Sequence, residues 1–140
     1  MNILELKKLF DEWDFCENKI VIKKNLAYII AFIKKNFHYD ILKNITAVDC
    51  QDSVTELIYN LYSTQNEENL LISIKVKDEA ESVSMFFDSA TADEKEIYDF
   101  FGVKFIGNKE LTRLYMPEGW QGHPLKKDYK ENDMRLSWNE

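Results

Sequence analysis

The residues best suited to proton transfer lie near the C-terminal end of the sequence. His123 and Asp128 share one short motif, His-Pro-Leu-Lys-Lys-Asp, and an imidazole near a carboxylate is a common acid–base combination. His38 is the only other histidine, and no cysteine is close in sequence. We therefore favour a hydrogen-bonded structural histidine and a carboxylate that anchors the chain. The alternative is a small enzyme that uses His123 and Asp128; the favoured interpretation has no catalytic residue.

Metal-binding and phosphate-binding patterns are absent from the sequence. Cys16 and Cys50 are far apart and have neither of the spacings typical of zinc or iron–sulfur sites. Residues 1–101 contain no glycine, so they offer no glycine-rich loop for a nucleotide phosphate. We predict no metal site and no cofactor, and we expect both cysteines to be small core residues.

The overall charge narrows the classes of partner. A formal net charge of -7 and a pI near 4.9 disfavour nucleic acid as a partner, because phosphates must be neutralised by lysine and arginine. The longest apolar run, 26–33, is shorter than the ~20 residues that a membrane span needs. The first residues also lack the apolar stretch of a signal peptide. We expect a cytoplasmic protein with no direct membrane span.

Several amphipathic segments must position these side chains. Helical spacing of apolar residues predicts two early helices, marked by Ile3, Leu6, Phe10 and Trp13 and by Leu26, Ile29, Ile30, Ile33 and Phe37. Strands are predicted at 19–23, 45–50, 54–63, 69–76 and 82–87, with a hairpin turn at 63–69. This order predicts an α+β fold, in which helices pack on a small mixed or antiparallel sheet.

A third helix is predicted between positions near 92 and 101. Thr91 can cap its start, Glu94 can reach back to the cap amide, and Gly102 follows the last turn, where a left-handed residue is favoured. Glu94 and Glu96 could also act as an acid–base pair. Capping and the helix dipole explain them without catalysis, and we favour that structural role.

The end of the chain differs from the rest in composition. All four glycines and both prolines lie after position 101, which predicts a body over 1–102 and an extended arm over 103–140 within a single domain. Between 104 and 130, six basic residues stand against three acidic ones, a charge of +3 that leaves -10 for the remainder. Such an arm is suited to an acidic partner surface.

The stretch 94–129 resembles the thirty-kilodalton subunit family of respiratory NADH dehydrogenases (complex I), also called the C-subunit family, and its relatives in energy-converting membrane-bound hydrogenases. The residues that carry the resemblance are Glu94, Glu96, Asp99, Phe101, Gly102, Phe105, Gly107, Leu111, Arg113, Leu114, Pro117, Trp120, Gly122, His123, Pro124, Leu125, Lys127, Asp128 and Tyr129. Three places depart from the family pattern, at Lys95, Lys126 and the pair Asn108-Lys109. Lysine in place of arginine loses a bidentate grip on carboxylates.

The resemblance implies a protein without redox groups that braces two partners, the large hydrogenase-like subunit and the small iron–sulfur subunit. It also implies a location at the inner face of the cell membrane, peripheral and through the complex. The arm would supply the partner-binding residues Arg113, Tyr115, Trp120, His123, Lys126, Lys127, Asp128 and Tyr129. Tyr115 and Trp120 could equally fold the arm back on its own body. A binding module with no redox connection is a further alternative.

Overall fold

The computed structural model describes residues 19–109, 122, 123 and 125, together with the backbone of 14–16. The elements are β1 (Asp14–Cys16), β2 (Lys19–Ile22), α1 (Leu26–Phe37), β3 (Ile41–Asp49), β4 (Thr55–Ser63), β5 (Glu68–Val76), β6 (Glu79–Glu81), α2 (Ala90–Phe101) and β7 (Lys104–Ile106). The first helix predicted from Ile3 to Trp13 lies outside the described residues, as does most of the predicted arm.

The main sheet is mixed. Its strand order is β1-β2-β5-β4-β3, with β2 parallel to β5 and the other neighbours antiparallel. The polar turn between β4 and β5 forms the predicted hairpin, with Ser63 paired to Glu68. A second sheet joins β6 and β7 in parallel. The predicted α+β class with a small mixed sheet is confirmed.

The core forms where the period of each element puts apolar side chains on one side. In α1, Leu26, Ile29, Ile30 and Ile33 are buried, which is the stripe expected at 3.6 residues per turn. In β4 every second residue is buried, in keeping with the period of two in a strand. Lys34 and Lys35 occupy the last turn of α1, where positive charge complements the helix dipole.

The predicted strand at 82–87 is wrong. This segment turns instead, with the amides of Phe86 and Phe87 both donating to the carbonyl of Val83, and the strand lies earlier at Glu79–Glu81. Val83 and Phe87 are both buried, but Met85 between them is 86% exposed, so the segment lacks the period of two that one face of a strand requires.

The division into a body and an arm at 103 stays a prediction, but the first residues of the predicted arm contribute to the core. Val103 and Phe105 are buried in the core, and the short strand that contains Phe105 pairs with β6. The cause is local: alternate residues from 103 to 106 face inward, so the strand adds to the core as the chain leaves α2. Val103 and Phe105 therefore pack in the same core as the helices and the main sheet.

Cys50 is exposed, so its predicted place in the core is wrong. The residue follows β3 and its amide donates to the carbonyl of Val54, which closes a tight turn. Gln51, Asp52 and Ser53 all have positive φ values in that turn, so the chain leaves the sheet before it returns in β4. Position 50 is thus at the rim of the sheet.

Candidate docking site at the end of helix α2

Helix α2 ends at a glycine, as predicted. Gly102 has φ of 80° and its amide donates to the carbonyl of Tyr98 at 2.9 Å. A side chain here would also meet a neighbour, because a Cβ on Gly102 would lie 2.7 Å from Cδ2 of His123. Glycine therefore satisfies both the left-handed backbone and the close approach of the imidazole.

The segment around His123 folds back onto the end of α2. Nδ1 of His123 lies 3.0 Å from the carbonyl oxygen of Asp99, and the amide of Leu125 donates to the carbonyl of Phe100 at 2.9 Å. Since a carbonyl only accepts, Nδ1 carries the proton in the first of these bonds. The imidazole also packs on Tyr98, with ring centroids 5.8 Å apart.

These contacts satisfy the last turn of the helix. The final carbonyls of an α-helix have no partner within the helix and must find one elsewhere. Here the returning segment supplies one side-chain donor and one backbone donor, from His123 and Leu125. We call this arrangement the C-terminal clasp, and it fixes where residues 122, 123 and 125 lie relative to the body.

Glu94 does not cap its own helix. The carboxylate is fully buried and accepts hydrogen bonds from Oγ of Ser82 at 2.7 Å, the amide of Val83 at 2.9 Å and Nδ2 of Asn108 at 3.0 Å. Thr91 is not the cap either, because the helix begins at Ala90. The predicted capping pair of Thr91 and Glu94 is therefore wrong. In a capping box the Glu94 carboxylate would bond to the backbone amide of the cap residue, but here it bonds to the loop before α2 instead.

The Glu94 carboxylate joins three parts of the chain. Ser82 and Val83 belong to the loop before α2, and Asn108 follows β7, within the predicted arm. Burial raises the pKa of Glu94, while the hydrogen bonds from Ser82, Val83 and Asn108 work in the opposite direction. The carboxylate thus holds the root of the C-terminal segment against the body.

The N-terminal end of α2 is fixed to the edge of the main sheet. Oγ of Ser89, the cap position, donates to the carbonyl of Leu42 at 3.1 Å and makes no capping bond. The Asp93 carboxylate accepts from the backbone amide of Ile45, although burial raises its pKa. Both bonds use groups of β3, the edge strand, so the helix covers part of an edge that would otherwise present free donors and acceptors.

The structure brings Glu94, Gly102 and His123 to one helix, with Thr91 in its first turn. Seven other predicted site residues lie outside the described residues: Arg113, Tyr115, Trp120, Lys126, Lys127, Asp128 and Tyr129. Their contacts with partners stay predictions, as does that of His123.

Sequence reasoning missed Ser82, Asn108 and the acceptor carbonyls of α2. A helix that ends at glycine signals carbonyls in need of donors, but nothing local indicates which distant residue supplies them.

Within the described ranges, no helix combines the length and apolar character needed to cross a bilayer. The same residues include no cluster of three histidine, cysteine or acidic side chains that could hold a metal ion.

Fold and site together define a small α+β protein in which helix α2 is held at one end by the sheet and at the other by a returning C-terminal segment. The family described as respiratory-chain NADH dehydrogenase, 30 Kd subunit, matches residues 20–135, and this chain belongs to that family. The resemblance inferred from the motif in 94–129 is confirmed.

Individual relatives agree with the family assignment. The chain is 36% identical over 115 residues to the C subunit of NADH-quinone oxidoreductase from Geobacter sulfurreducens, covering 78% of this chain and 71% of that protein. It is 33% identical over 111 residues to the C/D subunit of NADH-quinone oxidoreductase from Phocaeicola vulgatus, covering 75% of this chain but only 21% of that protein. The chain thus spans about a fifth of the C/D relative.

Two solved structures share the fold. A chain of the membrane-bound sulfane sulfur reductase, an archaeal respiratory membrane complex, superposes with a TM-score of 0.75 at 18% identity, covering 91% of this chain and 83% of that chain. A trypsin-resistant fragment of Nqo5 gives a TM-score of 0.60 at 18% identity, covering 78% of this chain and 96% of that fragment.

Proposed function

We propose that this chain is a structural subunit, without redox groups, of a membrane-associated complex of the NADH-quinone oxidoreductase type. It docks on the large hydrogenase-like subunit and on the small iron–sulfur subunit. The complex carries it to the inner face of the cell membrane as a peripheral component. Support comes from membership of the thirty-kilodalton family and from relatives named as C subunits of such complexes.

The C-terminal clasp is the observation that carries the proposal. His123 and Leu125 bind the end of α2, so the residues that follow begin at a fixed place on the body. Lys126, Lys127, Asp128 and Tyr129 come directly after it. A docking segment that starts from a fixed point loses less conformational entropy when it binds, and this favours affinity.

The roles within the arm follow from residue type. Arg113, Trp120 and Tyr129 are of the kinds that dominate binding hot spots, with Tyr115 as a further aromatic contact. Lys126 and Lys127 orient the arm on partner carboxylates, and Asp128 anchors it by an ion pair or by backbone hydrogen bonds.

The test is reconstitution of the complex with variants of the full-length chain. Trp120→Ala should cost about 2 kcal/mol of binding, roughly thirtyfold in Kd, because a buried aromatic anchor is lost. Lys130→Ala is the control and should change little, since a charge at the rim contributes little. Assembly is followed by native electrophoresis, and electron transfer by NADH-dependent quinone reduction.

A deletion of residues 117–129 provides the stronger version of the same test. It should abolish stable assembly while the variant chain remains folded, as judged by its circular dichroism. If this deletion and Trp120→Ala both assemble and turn over like the unaltered chain, the arm is not the docking element and the proposal fails.

A further inference from the structure

A second surface lies at the other end of α2, away from the C-terminal clasp. An open cavity of about 280 Å³ lies between α1, the start of β3 and the loop before α2. Ile41, Leu42, Phe86 and Phe87 form its apolar lining, and we call it the Phe86 cavity. Ile41 is 40% exposed, and Met85, which precedes Phe86 in the chain, is 86% exposed. Among the described residues no large apolar side chain is more exposed than Met85.

The walls of the Phe86 cavity are held in place by polar contacts. Nζ of Lys34 donates to the carbonyl of Phe86 and lies 4.7 Å from the centre of the Phe87 ring. Ser89 joins the loop to the carbonyl of Leu42. The opening therefore exists before anything binds, which reduces the entropy lost on association.

Charge at the mouth is negative. Asp40 and Asp88 are both exposed there, whereas the ammonium of Lys34 is engaged with the loop. The amide and hydroxyl of Thr64 donate to the Asp40 carboxylate at 3.0 and 2.7 Å, and these bonds lower its pKa. Asp40 therefore stays an anion, with its orientation fixed.

We propose that the Phe86 cavity is a second docking site, where a partner protein of the complex inserts an aliphatic or aromatic side chain and an adjacent lysine or arginine pairs with Asp40 and Asp88. This rests on the proposed function, because the occupant is another subunit of the same complex. The charge at the mouth of the cavity is negative, opposite to that of the arm, which presents positive charge to its partner. The apolar lining favours an apolar side chain of the partner, and the two carboxylates favour a basic residue next to it in the partner.

The position of the cavity suits a bracing subunit. Helix α2 has twelve residues, about 18 Å at 1.5 Å per residue, and Ser89 and the C-terminal clasp mark its two ends. Contacts at both ends of one rigid element would fix the orientation of this chain as well as its position. A contact at one end of the helix leaves rotation about that point free, so the second contact adds something that the arm does not supply.

Site-specific photocrosslinking identifies the occupant. A benzophenone amino acid replaces Met85 in the full-length chain, which is then added to the complex purified from cells that lack this protein. We expect a crosslink to another subunit, at a segment where an apolar residue adjoins lysine or arginine. Position 48 is the matched control, because Val48 is also an exposed apolar residue, at 44%, but lies at the far end of β3. It should not reach the same segment.

Each other result at position 85 overturns the proposal. A crosslink to a second copy of this chain, to its own arm or to a bound lipid would name a different occupant. Absence of any crosslink in the assembled complex would leave the cavity empty. A probe at Leu125 separates the two proposals: if position 125 crosslinks and position 85 does not, the Phe86 cavity fails while arm docking stands.

Affinity measurements give an independent readout. Met85→Ser should weaken binding to the same purified complex about tenfold, with Val48→Ser as its control. Asp88→Lys should weaken binding further and reverse the effect of added salt, since it places a cation opposite the partner's basic residue. Asp78→Lys makes the same change at another exposed carboxylate, and it should neither weaken binding nor reverse the effect of salt. Unchanged affinity for both Met85→Ser and Asp88→Lys would overturn the proposal.

Discussion

At the scale of single residues, Gly102 is constrained twice. Its φ of 80° lies in the left-handed region, and His123 occupies the space that a side chain would need. Gly107 also has a positive φ, of 104°, but a Cβ there would meet only Cβ of Ser82 at 3.6 Å, an ordinary contact. A comparison of substitutions at the two glycines therefore distinguishes the cost of backbone strain from the cost of steric overlap.

We predict that Gly102→Ala destabilises the chain more than Gly107→Ala. Left-handed backbone alone costs about 1–2 kcal/mol, and the overlap with His123 adds to it only at position 102. Denaturant unfolding gives both values, and Gly102→Ala repeated in a His123→Ala background should cost less than in the unaltered chain. Equal costs at 102 in both backgrounds would show that the imidazole does not pack on the glycine.

Glu94 should make stability depend on pH. Because burial raises its pKa when folded, the folded chain keeps a proton that the unfolded chain releases above about 4.5. The contribution of Glu94 to the free energy of unfolding is therefore fully present below that pH, and it is lost as the pH rises through the folded pKa. Glu94→Gln cannot titrate and should flatten this part of the stability curve.

The same substitution should also lower overall stability. An amide nitrogen would face one of the three donors around the carboxylate, at a cost of about 1–3 kcal/mol. Exposed Glu96 provides the control, since Glu96→Gln should alter neither the slope nor the stability by much. Urea unfolding from acidic to neutral pH measures both quantities. A slope unchanged by Glu94→Gln would contradict the raised pKa.

At the scale of elements, the chain should tolerate loss of the arm but not of β7. Val103 and Phe105 are buried, so ending the chain at 102 removes core side chains, whereas ending it at 109 keeps them and the Asn108 bond to Glu94. We predict cooperative thermal unfolding for 1–109 and none for 1–102. Losing the two clasp bonds should lower the stability of 1–109 by about 1–3 kcal/mol. Cooperative unfolding of 1–102 would show that β7 is dispensable.

At the scale of the whole molecule, the uneven charge should govern association. Residues 104–130 carry +3 against -10 for the rest, so we expect an acidic partner surface to attract the arm and to repel the body. We predict that the association rate with the complex depleted of this chain falls as salt is raised, and that Lys126→Gln with Lys127→Gln removes much of this dependence. Stopped-flow fluorescence measures the rate, with Lys130→Gln as the control. A rate independent of salt would rule out steering by the arm.

Residue patterns alone were enough to predict the elements with clear periods and the family. The apolar stripe of α1, the alternation of β4 and the glycine after α2 are all local patterns, and local patterns fix local conformation. The motif in 94–129 was enough for the family because many residues match it at fixed spacing. The same stretch could not reveal which side chains touch.

The partners of the polar groups could be identified only from the folded chain. Glu94 has the spacing of a capping residue, yet its carboxylate bonds to Ser82, Val83 and Asn108, because the fold buries it between the loop and β7. His123 reaches α2 across more than twenty residues of chain. Such contacts depend on where distant segments cross in space, and neither residue type nor periodicity encodes that crossing locally.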